Sequence, residues 1–235
     1  MPIIIITIAL LPAILLWVYI WKKDPHKEPN SQLIKAFLAG AAICVPVAFL
    51  ELFMTIVLFG ESQEATSWFG VIVDAFMVAA IPEECVKLLV LWLLLRRNRH
   101  FDEHFDGIVY AVCVGLGFAA VENLFYVFGE EDWLAVAISR ALLAVPGHYA
   151  FAVLMGYYYS VYHFVDHSKQ TAACILWVPV VAHGVYDTLA LSGTVNPLVG
   201  GICMIALIVF CVKMHKVAKS KVMTLVEKDK DVIME

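Results

Sequence analysis

The stretch Ala80-Ile-Pro-Glu-Glu-Cys-Val-Lys-Leu-Leu89 constrains this chain most, because it sets two carboxylates and an amine inside an otherwise apolar run from Val71 to Leu95. A charge at mid-bilayer costs ~2.5–3.5 kcal/mol on insertion scales, so Glu83, Glu84 and Lys87 must find partners inside a helical bundle. Glu83 and Lys87 are four apart with the acid first, which predicts an ion pair on one helical face, while Glu84 points about 100° away. Pro82 lacks an N–H and crowds the preceding turn, so a kink is expected just before the pair.

Of 235 residues 62% are hydrophobic and only 16% charged, which excludes an ordinary soluble domain. Apolar runs long enough to cross a bilayer recur at about 2–21, 33–59, 71–95, 107–128, 133–160, 171–192 and 195–212. The expected fold is an all-α polytopic bundle of about seven transmembrane helices. It forms one membrane domain over 1–235, with a motif-bearing core at about 71–192 and a basic tail at 213–235. The first run carries its charges, Lys22 and Lys23, after the apolar segment, and so reads as an anchor rather than a signal peptide. Lys22, Lys23, Lys27, Lys35, Arg96, Arg97, Arg99, Lys169 and the six lysines of the tail all fall on one side of this arrangement. Only Lys87 and Arg140 lie inside spans, and the opposite loops hold acids without a base. The positive-inside rule then predicts an outer N-terminus and a cytoplasmic C-terminus, with the lipid bilayer as surroundings. The formal net charge of −5 points to no nucleic-acid partner. The six cysteines lie within or at the ends of spans and read as small apolar side chains without a disulfide framework.

The remaining intramembrane polar residues are candidates for the partners that the Glu83–Lys87 stretch requires. Glu51 lies in the outer third of the second span, either satisfied locally or supporting the cluster. In the fourth, Ala111, Gly115 and Ala119 form a small-residue face that also carries Glu122, with Asn123 beside it, so Glu122 points into the bundle. The fifth span is interrupted at Pro146-Gly147 just before His148, with Arg140 about two turns nearer the outer surface. The sixth offers His183-Gly-Val-Tyr-Asp187, a histidine and an acid one turn apart, after Pro179. In straight helices Asp187, Glu122 and His183 would lie roughly 7–14 Å below the outer face and Glu83, Glu84 and His148 roughly 19–22 Å, so one pocket requires tilt. Outside the spans, His100, His104, Asp102, Glu103 and Asp106 have metal-ligand chemistry but read as a solvated loop. The turn joining the first two helices and the basic tail add no functional group, the tail being a stop-transfer flank or anionic-lipid contact.

Five elements in order resemble the PrsW family of intramembrane proteases: Glu83-Glu84-x-x-Lys87, Phe105-Asp-Gly-Ile-Val-Tyr110, Gly117-Phe-Ala-Ala-Val-Glu-Asn123, the His148 region and His183-x-x-x-Asp187. They cover residues about 80–190 and fall on successive spans. The resemblance implies a site-1 protease of the bacterial plasma membrane that cuts a single-pass membrane protein of the anti-sigma factor type. The wider superfamily includes the CAAX prenyl endopeptidases and the scaffold subunit APH-1. Relative to the CAAX enzymes this chain has Lys87 one position before their arginine, Glu122 in place of histidine, and Asp187 where asparagine is frequent.

Two enzymatic readings follow. In a glutamic-type endopeptidase no cofactor is needed. Glu83 acts as base on a water, tuned and braced by Glu84 and Lys87, while Glu122 and His148 orient the water, and His183 with Asp187 stabilises the oxyanion or protonates the leaving amine. In a metalloprotease Glu122, His148 and His183 hold a divalent ion such as zinc. Asn123 and Arg140 are supporting residues in both. The competing class is a non-catalytic scaffold or a proton-coupled transporter; no inverted repeat of the polar motifs favours the latter.

Overall fold

The structure, a computed structural model, describes residues 2–60, 65 and 67–232. The acids Glu61 and Glu64 of the first outer loop and the last three residues of the tail lie outside the described residues. The chain forms α1 (Pro2–Lys23), α2 (Asn30–Phe59), α3 (Trp68–Val73), a π-helical stretch (Asp74–Ala80) and α4 (Ile81–Leu95). After these come α5 (Asp106–Gly129), α6 (Trp133–Leu142), α7 (Ala144–Phe164), α8 (Lys169–Leu191), a 3₁₀ turn (Ser192–Thr194) and α9 (Pro197–Val232). There is no strand among the described residues. Among the described residues six helical segments are long and apolar enough to cross a membrane. The seventh expected span is the continuous run from Trp68 to Leu95, which carries Asp74, Glu83, Glu84 and Lys87. The protein is thus an all-α polytopic membrane protein.

Helix α5 is the axis, buried on every side for most of its length and packed on α2, α7 and α1. Glycines set how closely its neighbours come. A Cβ on Gly117 would strike the Phe37 carbonyl of α2, and one on Gly40 of α2 would strike the Val114 carbonyl in return, so the α2–α5 contact is backbone against backbone. On the other face Gly115 meets α7, where an added Cβ would lie 2.8 Å from that of Ala152. The outer helices expose apolar side chains such as Phe49 and Phe53 of α2 and Leu198, Ile202 and Ile205 of α9, the composition required of a lipid-facing surface.

Three local features depart from the sequence expectation. The break in the fifth span falls at Leu143 (φ −121°, ψ −59°), before Pro146 rather than at it. The Pro146 ring would clash with the carbonyl four residues back, so α6 must end at Leu142, and Pro146 then sits in the first turn of α7, where no N–H donor is required. The bend before Pro82 takes the form of the π-helical stretch, closed by the Ile81 N–H bonding to the Phe76 carbonyl five residues back. The last helix runs well past 212. Ala218, Val222, Leu225 and Val226 of its extension pack on the central core, and the buried Asp229 carboxylate accepts from the His104 and Phe105 N–H groups (3.0 and 2.7 Å) just before α5. The tail is therefore a packed element with an ionisable group of its own.

Orientation can be read directly by labelling. In a variant lacking the native cysteines, Glu131→Cys should react with an impermeant maleimide in intact cells, and Gln170→Cys only after the cells are opened. The opposite pattern would invert the assignment made from the basic residues.

Candidate active site

The i, i+4 spacing delivers the expected Glu83–Lys87 ion pair, with Lys87 Nζ 2.8 Å from Glu83 Oε2. Glu84, three residues before Lys87, is held by the same ammonium at 2.8 Å, so one lysine bridges both carboxylates. All three are buried, at 3%, 1% and 3% exposure for Glu83, Glu84 and Lys87. The ammonium also lies 3.3 Å from His148 Nδ1 and 4.2 Å from the centroid of the Phe118 ring.

The two histidines connect this cluster to the rest of the bundle. His183 Nδ1 is 3.0 Å from Glu84 Oε1, while its Nε2 faces Asp187 Oδ2 at 3.2 Å and Glu83 Oε1 at 3.9 Å. Both nitrogens meet carboxylate acceptors, so a doubly protonated ring satisfies every partner. Its approach depends on Gly184, where a Cβ would press on the Phe76 ring of the π-helical stretch. His148 differs, since Nδ1 can accept from Lys87 while Nε2–H donates to Glu122 Oε2 at 2.8 Å. The same Glu122 oxygen receives Arg140 Nη2 at 2.6 Å, and Arg140 Nε donates to Asn123 Oδ1 at 2.9 Å. Asn123, fully buried, donates in turn to the Ala9 carbonyl of α1 (2.7 Å), which anchors this branch to the helix behind it.

These groups meet at the wall of a cavity of about 500 Å³. Glu83, Glu122, Arg140, His148, His183 and Asp187 line it; Glu84 and Lys87 do not. The pair of glutamates is therefore split, Glu83 facing the cavity and Glu84 sealed behind it between Lys87 and His183. Glu51 also lines the cavity, and its Oε1 has no protein partner. Asp74 and Tyr126 line it too and were not anticipated from sequence. For Asp74 the signal was present, an acid within the same apolar run. Tyr126 lies one helical turn beyond Glu122.

The donor set suits a divalent ion. Glu83, Glu84, His148 and His183 each offer a ligand atom, all within 4.8 Å of one another. Glu122 is not in this group and is held instead by His148 and Arg140. Four carboxylates (Glu83, Glu84, Glu122, Asp187) face two fixed cations (Lys87, Arg140), so two negative charges remain for histidine protons or a divalent ion to offset.

Carboxylate, ammonium and imidazole gathered around a cavity inside an apolar bundle are the equipment of a membrane-embedded hydrolase. Comparison with known proteins narrows the class. The family model described as "PrsW family intramembrane metalloprotease" matches residues 28–214, and the chain belongs to that family of intramembrane proteases. It is 38% identical over 187 residues to Protease PrsW of Clostridioides difficile, covering 77% of this chain and 76% of that protein. Similarity to Protease PrsW of Geobacillus kaustophilus is 35% over 193 residues (80% of each), and to that of Bacillus subtilis 34% over 186 residues (78% and 81%). No solved structure matches the chain.

Lys87 should be the most stability-sensitive residue of the site. Lys87→Met leaves two buried carboxylates without their shared cation and is expected to cost about 3–5 kcal/mol, seen as a lowered apparent Tm in detergent. Adding Glu84→Gln should recover part of the loss, and a Lys87→Met protein as stable as the parent would show that the ammonium does not carry this role.

Proposed function

We propose that this protein is a glutamic-type intramembrane endopeptidase in which Glu83 is the general base. The observation that carries the assignment is the split pair, since only Glu83 meets the cavity where water and substrate can enter. Glu83 takes a proton from the attacking water while Lys87, bound to its other oxygen, holds the carboxylate in place. His183 presents Nε2–H towards the same space, where it donates to the developing oxyanion and then protonates the leaving amine. Glu84 and Asp187 fix that ring from either side, one on each nitrogen. The Arg140–Glu122–His148 branch positions the water from the opposite wall.

A metal-dependent reading is supported by the convergence of Glu83, Glu84, His148 and His183. A divalent ion held there would supply Lewis-acid polarisation of the carbonyl, and Glu83 and His183 would still be the residues that fix the reacting groups.

The substrate we propose is a single-pass membrane protein of the anti-sigma factor type, in a bacterial plasma membrane, cut at or just outside its outer membrane boundary. Support for the position comes from the chain order of the site. Glu122, Arg140 and Asp187 sit towards the helix ends opposite the basic loops. An unwinding segment there can satisfy its freed N–H and C=O groups with water.

Glu83→Gln is nearly isosteric and should lower cleavage of a single-pass substrate by about 10²–10⁴-fold with insertion unchanged, whereas Glu84→Gln, acting through His183, should retain more activity. Parental rates in Glu83→Gln would overturn the assignment. In the glutamic reading, exhaustive chelation leaves activity intact. Loss on chelation with rescue by one stoichiometric divalent ion would select the metal reading.

A further inference from the structure

A second buried acidic cluster lies at the end of the bundle that the basic residues mark as cytoplasmic, away from the cavity. The turn after α1 contributes Asp24 and Glu28, the loop before α5 contributes Asp102 and Glu103, and α5 opens with Asp106. Asp24, Glu28 and Asp106 are 3%, 7% and 1% exposed. Three of the five acids are thus withdrawn from water, while Glu103 is half-buried and Asp102 exposed at the rim. Carboxylate oxygens of Asp24, Glu103 and Asp106 all lie within 4.8 Å of one another, and those of Glu28, Asp102 and Asp106 do likewise.

Five acids at this spacing need positive charge, and among the described residues the chain supplies little. The one ion pair they make is His26 Nδ1 with Glu103 Oε1. Lys27 Nζ, on the same turn, is turned away onto the Trp21 and Asp24 carbonyls (2.5 Å each). Glu28 accepts from the Tyr110 hydroxyl. Burial first, and then the charges of Asp24, Asp102 and Glu103, push Glu28 up to about 7 despite that bond.

Asp106 indicates what is missing. Its Oδ2 accepts from the Asp102 and Glu103 N–H groups (3.1 and 2.8 Å), which fixes the carboxylate in orientation, while Oδ1 is buried with no donor. Glu103 Oε2 is likewise buried and unpartnered, with its Oε1 held by His26. Both free oxygens therefore belong to the Asp24–Glu103–Asp106 trio. A buried carboxylate oxygen without a donor is costly, and a cation would fill the place while also offsetting the repulsion among the three acids, which a hydroxyl or amide donor does not do.

We propose that Asp24, Glu103 and Asp106 form a site for a hard divalent cation of the Mg²⁺, Ca²⁺ or Mn²⁺ class, with Glu28 and Asp102 deepening its negative surroundings. All-carboxylate oxygen ligation selects these ions over zinc. The ion ties the α1–α2 turn and the loop before α5 to the first residue of α5. Asp229 already clamps the same loop to α9, so the cation joins the N-terminal helices to the central helix at this end. The site is independent of the proteolytic reading.

The test uses full-length protein in detergent carrying His148→Ala and His183→Ala, which removes both intramembrane histidine donors from competition. Mn²⁺ titration followed by electron paramagnetic resonance should show one saturable equivalent, displaced by Mg²⁺ or Ca²⁺. Hundredfold excess of ion over Kd should raise Tm by roughly 5–10 °C. Asp106→Asn should abolish both effects. Glu103→Gln, at the partly exposed rim and so harmless to folding, should weaken Mn²⁺ by about tenfold or more, and it decides the matter if Asp106→Asn does not fold. Absence of saturable binding, or binding unchanged by Glu103→Gln, overturns the proposal.

Discussion

Burial of charge in a medium that cannot solvate it is the constraint on which this structure depends. Once Glu83, Glu84 and Lys87 are placed within an apolar run, each unmet valence must be answered from another helix, and the answers define the bundle. Lys87 neutralises one carboxylate and is shared by two. His183 of α8 takes the free side of Glu84, and His148 of α7 approaches the ammonium. Through Glu122, Arg140 and Asn123 the network continues until it ends on a backbone carbonyl of α1. Such networks are weak sources of net stability, because desolvation offsets most of the Coulombic gain. They do penalise every arrangement in which one member is left unpaired, and so favour a single packing.

Irregular backbone lets these groups meet. Uniform rise along straight helices separates the candidate residues into two levels, yet contacts of about 3 Å join them in a continuous network. The π-helical stretch before α4, the break at Leu143 and Pro179 within α8 each lie within one or two turns of a site residue. Each releases or redirects a hydrogen bond, a cost that tertiary contacts around the site must offset. Helix α5 has no such defect. Its glycines bring α2 and α7 to backbone contact, and it serves as the fixed element against which the irregular helices are set.

Much of this was legible in the sequence because the rules are local. Apolar length marks spans, i, i+4 spacing gives the Glu83–Lys87 and His183–Asp187 pairs, and Ala111-Gly115-Ala119 marks the face that receives α7. What local rules missed depends on three-dimensional reach. The i, i+3 spacing of Glu84 and Lys87 allows a second pair, but a helical wheel does not fix that the flexible four-carbon stem of Lys87 serves both carboxylates at once. Nor does it show that Glu84 turns inward while Glu83 meets the cavity. The acids around Asp106 read as a solvated loop because hydrophilic residues between spans resemble any connector. Only the packing of Phe101 and Phe105, and of α9 beside the loop, takes Asp106 out of water, with Glu103 half-buried at the rim and Asp102 still exposed. Asp229 lay in a tail whose lysines suggested a lipid flank, and its role depends on the helix continuing far enough to reach the loop before α5.

The size of the cavity bears on the proposed reaction. One turn of helix, taken as a cylinder ~10 Å across and ~5.4 Å long, occupies roughly 400 Å³, and the cavity holds about 500 Å³. A transmembrane substrate placed there as intact helix would fill most of the cavity with a single turn and leave little space for the attacking water. A peptide bond within such a span is also shielded by its own hydrogen bonds, so the segment to be cut must leave the helical state before its carbonyl reaches Glu83. Leaving that state exposes N–H and C=O groups, each of which costs several kcal/mol in hydrocarbon if unmet. The cavity wall supplies partners of both kinds, carboxylates at Glu51 and Asp74 and a hydroxyl donor at Tyr126, in addition to the groups assigned to chemistry. On this argument the surplus polar residues of the wall are the surroundings that an extended segment of substrate needs, and specificity lies less in side-chain pockets than in how readily a given span unwinds.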